Sequence, residues 1–477
     1  MEKAEFGMIG LGVMGRNFLL NVADSGFSCV GYDLDAEKRS ALLIEGSGTG
    51  VETAESISGF IEKLARPRNI MLLVPAGSIV DSVINDLLPY LEHGDLVIDG
   101  GNSHFTDTER REAFLSDKGF DFMGVGVSGG EEGARHGASI MPGGKPIAFE
   151  RVRPILETVA AKVGGEPCVA YVGESSAGHF VKMVHNGIEY GLMQLLAETY
   201  DLMHRALGMN YAEMSRTFAE WNRGELNSFL VEITSQVLRK ADPKTGKALV
   251  EMILDTAGQK GTGKWTSQAA MDFGIPVPTI DIAVTMRQIS SFKNERVELS
   301  AKYPPHNLFA SQPSEQMRER ILEGLKNALH AAFIITYAQG MSLLHEASIE
   351  KKYGLNLSVI AKIWRGGCII RAALLEQIRQ AFDENPQLTN LLLNDTESLI
   401  IGKNLNHLRD IVTMGFSNGI PIAAFASTLS YLDAYTSRRL PANLIQAQRD
   451  FFGAHTYRRI DEEGTFHTPD WDKSFGV

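Results

Sequence analysis

The sequence is poor in cysteine. It has three among 477 residues, Cys29, Cys168 and Cys368, far apart and without metal-ligand spacing. That argues against a disulfide framework or a cysteine-ligated metal, and it fits a reducing, cytoplasmic setting. Long apolar runs are absent too: no stretch reaches the roughly 18 residues that read as a membrane-spanning helix. The opening Met-Glu-Lys-Ala-Glu-Phe lacks the basic start and apolar core of a signal peptide. Basic charge is in deficit, with 46 Lys and Arg against 58 Asp and Glu and a formal net charge of −12. Nucleic acid and anionic membranes are therefore not expected partners, and an anionic substrate would need a local basic pocket. What is there, 44% hydrophobic and 22% charged residues, is the composition of a soluble globular protein long enough for two or three domains.

Residues 4–10, 28–33, 70–74, 96–99 and 120–125 read as short buried strands ending at turn residues, with a helical pattern at 17–23. Strands alternating with helices predict an α/β domain with a doubly wound parallel sheet over residues 1–177. From Ser175 the character changes. Amphipathic segments at 178–207, 211–221, 225–240, 314–348, 356–383 and 405–433 predict an all-α domain over 178–435. That domain repeats: Ala219-Glu-Trp-Asn-Arg-Gly resembles Ala361-Lys-Ile-Trp-Arg-Gly, and an apolar helix precedes each. A separation of about 140 residues suits a duplicated helical unit rather than a solenoid. Residues 436–477, rich in Arg, His, Pro and aromatics, read as an ordered tail that needs a surface to pack on.

Gly10-Leu11-Gly12-Val13-Met14-Gly15 follows the first strand and opens a helix. In that context the first glycine makes the tight turn, the second lets the backbone approach a pyrophosphate, and the third packs helix on strand. The helix N-terminus holds the pyrophosphate charge. Asp33 ends the second strand, where an acid accepts from the ribose hydroxyls, so a nicotinamide dinucleotide site is expected. A carboxylate there repels the 2′-phosphate of NADP. Lys38 and Arg39, one helical turn later, can relieve that repulsion, but read better as surface charges on the next helix.

Lys182, His185, Asn186 and Glu189 are spaced i, i+3, i+4, i+7 and project from one face of a single helix. An amine, an imidazole, an amide and a carboxylate so placed can bind a polar substrate and move protons. A solvated helix face is the alternative, against which the apolar continuation Gly191 to Met203 argues for burial. Asn102, within Asp99-Gly-Gly-Asn-Ser-His104, and Ser128-Gly129-Gly130 stand after strands. There they can be turns or line the ligand crevice of an open sheet. Backbone N–H groups of Gly129 and Gly130 suit a carboxylate. In Gln259-Lys260-Gly-Thr262-Gly-Lys-Trp265, a lysine among Gly and Thr suits a phosphate without being a Walker A loop.

Together Gly10–Gly15, Asn102, Ser128–Gly130, Lys182–Tyr190, Gln259–Trp265, Arg287 and Gln448–His455 resemble the long-chain decarboxylating 6-phosphogluconate dehydrogenase family, in order and over nearly the whole chain. The resemblance implies a Rossmann-type first domain, a duplicated all-α second domain, and a homodimer. It implies Lys182 and Glu189 as catalytic groups. Asn102, Ser128, Gly129, Gly130, His185 and Asn186 would bind the sugar acid, and Tyr190, Lys260, Thr262 and Arg287 its phosphate. Arg449 and His455 of the tail would complete the neighbouring subunit's phosphate site. It extends the cofactor site to Val74, Ala76 and Asn102, with no metal. NADP-linked members usually carry Asn-Arg-Thr at positions 33–35, where this chain has Asp33-Leu34-Asp35. NAD is therefore expected to be preferred over NADP, by about 2 kcal/mol on charge grounds. A 3-hydroxyisobutyrate-type dehydrogenase would share the first domain and the Lys–Asn helix, but lacks the duplicated unit and the 259–265 loop.

Overall fold

A computed structural model describes residues 3–304 and 313–472. The strands of the main sheet are β1 (Phe6–Ile9), β2 (Cys29–Tyr32), β3 (Glu52–Thr53), β4 (Asn69–Leu72), β5 (Leu96–Asp99), β6 (Asp121–Ser128) and β7 (Ser139–Gly144), and Lys162–Val163 pairs with Glu166–Pro167 in a separate hairpin. Among them run α1 (Val13–Asp24), α2 (Ala36–Glu45), α3 (Ile57–Lys63), α4 (Ser78–Leu87), α5 (Phe105–Ser116), α6 (Gly130–His136) and α7 (Pro146–Val159). They form one sheet of order β3-β2-β1-β4-β5-β6-β7. The chain leaves β1 toward one edge and returns through β4 toward the other. A crevice therefore opens outside the carboxyl ends of β1 and β4, where such sheets bind ligands. Two apolar layers, one with Phe18, Leu19 and Phe149 and one with Phe60, Ile84 and Leu115, are both buried against it.

The parallel sheet expected from the sequence is in fact mixed. Ile140–Gly144, not among the expected strands, lies in β7, which pairs antiparallel with β6 from Met123↔Gly144 to Ser128↔Ser139. The two-residue edge strand β3 also carries no sequence signal. An antiparallel edge on a parallel sheet is common.

After Ser175 the described chain is helical: α8 (Ala177–Asp201, followed by a π-helical turn at Leu202–Ala206), α9 (Tyr211–Trp221), α10 (Phe229–Arg239), α11 (Leu249–Met252), α12 (Thr262–Asp272), α13 (Pro278–Ser291), α14 (Lys293–Lys302), α15 (Glu315–Glu350), α16 (Leu357–Ile363), α17 (Leu374–Glu384), α18 (Asp395–Ser417), α19 (Ala423–Thr436) and α20 (Ala442–Gly453). Two of the amphipathic segments are each broken. Turns separate α16 from α17, and Asn418-Gly-Ile-Pro421 separates α18 from α19, with Gly419 at φ +61°. Helices α12 to α14 and α20 were not legible as periodic segments. The repeated motif ends α9 and α16, and the turns of the pairs α9–α10 and α16–α17 meet at the bridge Ser228↔Ala372. Phe229 N donates to Arg371 O (3.0 Å) and Ala373 N to Asn227 O (2.9 Å). The chain divides into two compact units, Met1–Thr428 and Leu429–Val477.

The N-terminal half of α8 lies directly on β6 and β7. A Cβ on Gly178 would stand 2.2 Å from Gly124 O and 2.4 Å from Met141 O, and one on Gly126 would stand 2.4 Å from Lys182 Cβ. Only hydrogen at these positions permits the approach. The approach carries Lys182 to the carboxyl end of the sheet.

Candidate active site

The turn after β1 has the shape its three glycines demand. Gly10 has φ +96°, and a Cβ there would meet Leu73 O at 2.5 Å; a Cβ on Gly15 would stand 1.8 Å from Gly10 O. Gly12 has nothing within 4 Å of such an atom, so its face is open to a ligand. It is the N-cap of α1, with no side-chain cap and no acid in the first turn. An open glycine face at an uncapped helix N-terminus suits a pyrophosphate. The Asp33 carboxylate accepts from Leu11 N (2.8 Å) and Asp35 N (3.0 Å). A carboxylate has about four acceptor sites, so two remain for ribose hydroxyls. Next to this turn, Met14, Val74, Ala76, Asn102 and Val127 line a cavity of 640 Å³. The residues present fit a dinucleotide.

Lys38 and Arg39 do not point away from this site. Asp35 caps α2, and the first turn of that helix directs both cations back. Arg39 NH1 donates to Asp33 O (2.6 Å) and Leu34 O (3.2 Å), and Lys38 Nζ lies 3.5 Å from Asp33 Oδ2. The reading of these two as plain surface charges is corrected: the N-cap sets the phase of the helix.

On α8 the polar face is buried. Lys182 is 6% exposed and His185 fully buried. Lys182 Nζ donates to Asn186 Oδ1 at 2.6 Å. His185 Nδ1 stands 3.1 Å from the same oxygen, its Nε2 stands 3.3 Å from Ser128 Oγ, and Glu189 Oε2 lies 4.0 Å from Nδ1. The network assigns the proton to Nδ1 and leaves Nε2 to accept from the Ser128 hydroxyl. Burial pushes the Lys182 ammonium below its ordinary value, although the Glu189 charge opposes this. Burial pushes the Glu189 carboxyl up, against the charges of Lys182 and Arg287. It holds His185 well below the usual imidazole range, helped by the Lys182 charge. The shifts run toward a neutral amine, a neutral imidazole and a protonated acid, the opposite of a solvated stripe.

The phosphate-type loop is tied to this face. Asn186 Nδ2 donates to Thr262 Oγ1 (3.1 Å), and Thr266 Oγ1 donates to Met183 O (2.8 Å). Thr262 opens α12 just after Gly261 at φ +101°. Arg287 stacks its guanidinium 3.6 Å above the Tyr190 ring and donates to Gly258 O. Thr262, Tyr190 and Arg287 therefore form one cluster beyond Glu189. Lys260 lies with the cofactor-side cavity, beside Asn102 and Trp265. Gly129 (φ +117°) and Gly130 (φ +62°) start α6, with Gly130 facing open space. Arg449 and His455 stand in the second unit, where Arg449 donates to Gln446 and His455 packs edge-on to Phe452.

Sequence reasoning missed several neighbours. His104 packs edge-on to Trp265 at 5.1 Å on the cavity wall, Trp364 packs edge-on to His185 at 5.5 Å, and Arg111 lies buried beneath the wall. Each is brought in by long-range packing. Only the recurrence of Trp in the duplicated motif pointed at Trp364.

Comparison with known proteins agrees with this geometry. Residues 5–173 match the NAD binding domain of 6-phosphogluconate dehydrogenase, and residues 178–471 match its C-terminal domain. The chain is 49% identical over 473 residues to the NADP(+)-dependent, decarboxylating 6-phosphogluconate dehydrogenase of Bacillus subtilis, covering 99% of this chain and 100% of that one. It is 50% identical to decarboxylating 6-phosphogluconate dehydrogenase 1 of Saccharomyces cerevisiae, over 98% of this chain and 95% of that one. The solved structure of Plasmodium falciparum 6-phosphogluconate dehydrogenase, described in apo form and in complex with NADP+ and with 6-phosphogluconate, superposes with a TM-score of 0.94. It has 44% identity, over 98% of this chain and 100% of that one. With a dinucleotide-binding turn, a buried proton-transfer face and matches of this extent, the chain belongs to the 6-phosphogluconate dehydrogenase, decarboxylating, family of oxidoreductases.

Proposed function

We propose that the protein converts 6-phospho-D-gluconate to D-ribulose 5-phosphate and carbon dioxide in the cytoplasm, as a step of the oxidative pentose phosphate pathway and of gluconate use, with NAD preferred over NADP. The bound nicotinamide supplies the hydride acceptor. Neutral Lys182 takes the C3 hydroxyl proton as the C3 hydrogen leaves. The 3-keto acid then loses its carboxylate, and the ammonium of Lys182 stabilises the developing enolate oxygen. Glu189, whose hold on its proton burial strengthens, delivers a proton to C1 of the enediol. Asn102, Ser128, Gly129, Gly130, His185 and Asn186 orient the hydroxyls and carboxylate. Tyr190, Thr262 and Arg287 hold the phosphate, and Lys260 reaches it from the cofactor-side wall. No metal has a part, because a β-keto acid carries its own electron sink.

The observation that carries this reading is the opposed pair on α8: burial lowers the affinity of Lys182 for its proton and raises that of Glu189. Two titratable groups pushed toward each other's role mark a base and an acid. Lys182→Ala and Glu189→Ala should each cut turnover about a hundredfold or more, while dinucleotide binding persists. A Glu189→Ala enzyme with full kcat would remove that residue from the scheme.

The homodimer and the roles of Arg449 and His455 in the partner's phosphate site belong to the same proposal. It is supported by the tail unit, which leaves Leu444, Ile445, Phe451, Phe452 and Ile460 exposed. So many large apolar side chains on so small a unit call for a covering surface.

A further inference from the structure

We infer that Arg111 is a positioning residue that fixes two neighbouring segments lining the dinucleotide cleft against each other. Arg111 stands on α5 and is 1% exposed. Nε donates to Asp81 Oδ1 (2.8 Å); NH1 donates to Asp99 Oδ2 (3.2 Å) and Ser103 Oγ (3.1 Å); NH2 donates to Gly77 O (2.9 Å) and Asp81 Oδ2 (3.3 Å). A guanidinium has five N–H donors, and every one is engaged.

The acceptors divide between two loops. Gly77 and Asp81 belong to the segment after β4, where Gly77 takes φ +93° as the N-cap of α4. Asp99 ends β5, and Ser103 lies in the segment after it. Asp99 adds its own restraints, accepting from Gly101 N (3.0 Å) and Ser103 Oγ (2.6 Å), so the turn that presents Asn102 is held from beneath. The upper surfaces of these two segments, Val74 to Gly77 and Gly100 to Asn102, stand side by side after the neighbouring strands β4 and β5 and both line the 640 Å³ cavity. Arg111 is not among the residues that line it and reaches it only through these segments. It sets their spacing without contacting what fills the cleft. A planar fork spans two loops at once. A lysine ammonium, three donors on one atom, cannot.

This role, which rests on the placement of the cofactor against Val74, Ala76 and Asn102, separates two parts of binding. The adenosine end docks at the Gly10–Gly15 turn and Asp33, which Arg111 does not touch. Arg111→Lys in the full-length protein should therefore raise the KM for the dinucleotide about tenfold or more. The inhibition constant of ADP should stay within about twofold. Asp81→Asn, at the outer end of the clamp, should raise the dinucleotide KM about threefold with the ADP constant held, and it decides alone if Arg111→Lys does not fold. An unchanged dinucleotide KM overturns the inference. So does a parallel weakening of ADP, which is general structural damage. Ala76→Glu tests the placement separately. If it leaves the dinucleotide KM unchanged, placement and clamp fall together. If it raises the KM where Arg111→Lys and Asp81→Asn do not, only the clamp falls.

Discussion

Asp33→Asn combined with Leu34→Arg should exchange the cofactor preference. In the wild-type protein a 2′-phosphate would enter beside the carboxylates of Asp33 and Asp35. At a separation of about 4 Å, each pair of unit charges costs about 1 kcal/mol in water and about 4 at an effective dielectric of 20. Leu34 is 87% exposed, so the water-like end applies. Two carboxylates against a phosphate of charge about −2 then give about 3–4 kcal/mol. Lys38, 3.5 Å from Asp33, and Arg39, held at the same loop, return about half. The remainder, about 2 kcal/mol, is roughly a thirtyfold preference for NAD. The variant removes one carboxylate and adds a guanidinium, which favours NADP by a similar amount. The amide introduced by Asp33→Asn keeps one acceptor oxygen where the carboxylate uses two, which costs about 1 kcal/mol in the loop but weighs on both cofactors alike. The assay is kcat/KM for NAD and NADP at saturating 6-phosphogluconate, repeated at low and high salt. The preference should shrink with salt, because the Debye length falls from about 10 Å at 0.1 M to about 3 Å at 1 M. A wild-type enzyme that prefers NADP would refute the charge reasoning; the Bacillus subtilis relative's name calls that protein NADP(+)-dependent. A preference insensitive to salt would refute its electrostatic origin.

The pH profile of kcat should be bell-shaped. The lowered Lys182 supplies more neutral amine as pH rises through its value, and the raised Glu189 loses its proton as pH rises through its own. Because the two are coupled, the limbs belong to the pair. Glu189→Gln should lower the maximum and flatten the alkaline limb, and an unaltered alkaline limb would assign it elsewhere. Glu198 is buried, accepts from Ala424 N and Phe425 N, and is pushed up to about 7 by burial. Its folded value lies above the unfolded one, so its contribution is present in full below about pH 4.5 and is lost as pH rises through 7, about 3 kcal/mol in all. Melting curves should show wild type losing stability relative to Glu198→Gln between pH 5 and 8, and parallel curves would contradict this. Mixed refolding of Lys182→Ala with Arg449→Ala subunits should recover about a quarter of wild-type activity if the tail completes the neighbouring site, since half the dimers are hybrids with one intact site. No recovery would place Arg449 in its own subunit's site or outside any.

The parts of this protein written in its sequence are those with local spacing. Gly10, Gly12 and Gly15 announce a strand–turn–helix whose first and third positions admit only glycine, and the Lys182–Glu189 face follows from the helical period alone. The alternation of strands and helices over the first 170 or so residues likewise needs only neighbours in the chain. Tertiary structure decided the rest. Ile140–Gly144 became an antiparallel strand because β6 was there to pair with it. The helix at 262–272 begins where Asn186, far away in the chain, meets Thr262. The cations at 38 and 39 turned inward because Asp35 caps their helix. Above all, burial against β6, β7 and the duplicated helices converts a polar stripe into a base and an acid. No spacing encodes that change, because it depends on how much water the rest of the fold removes.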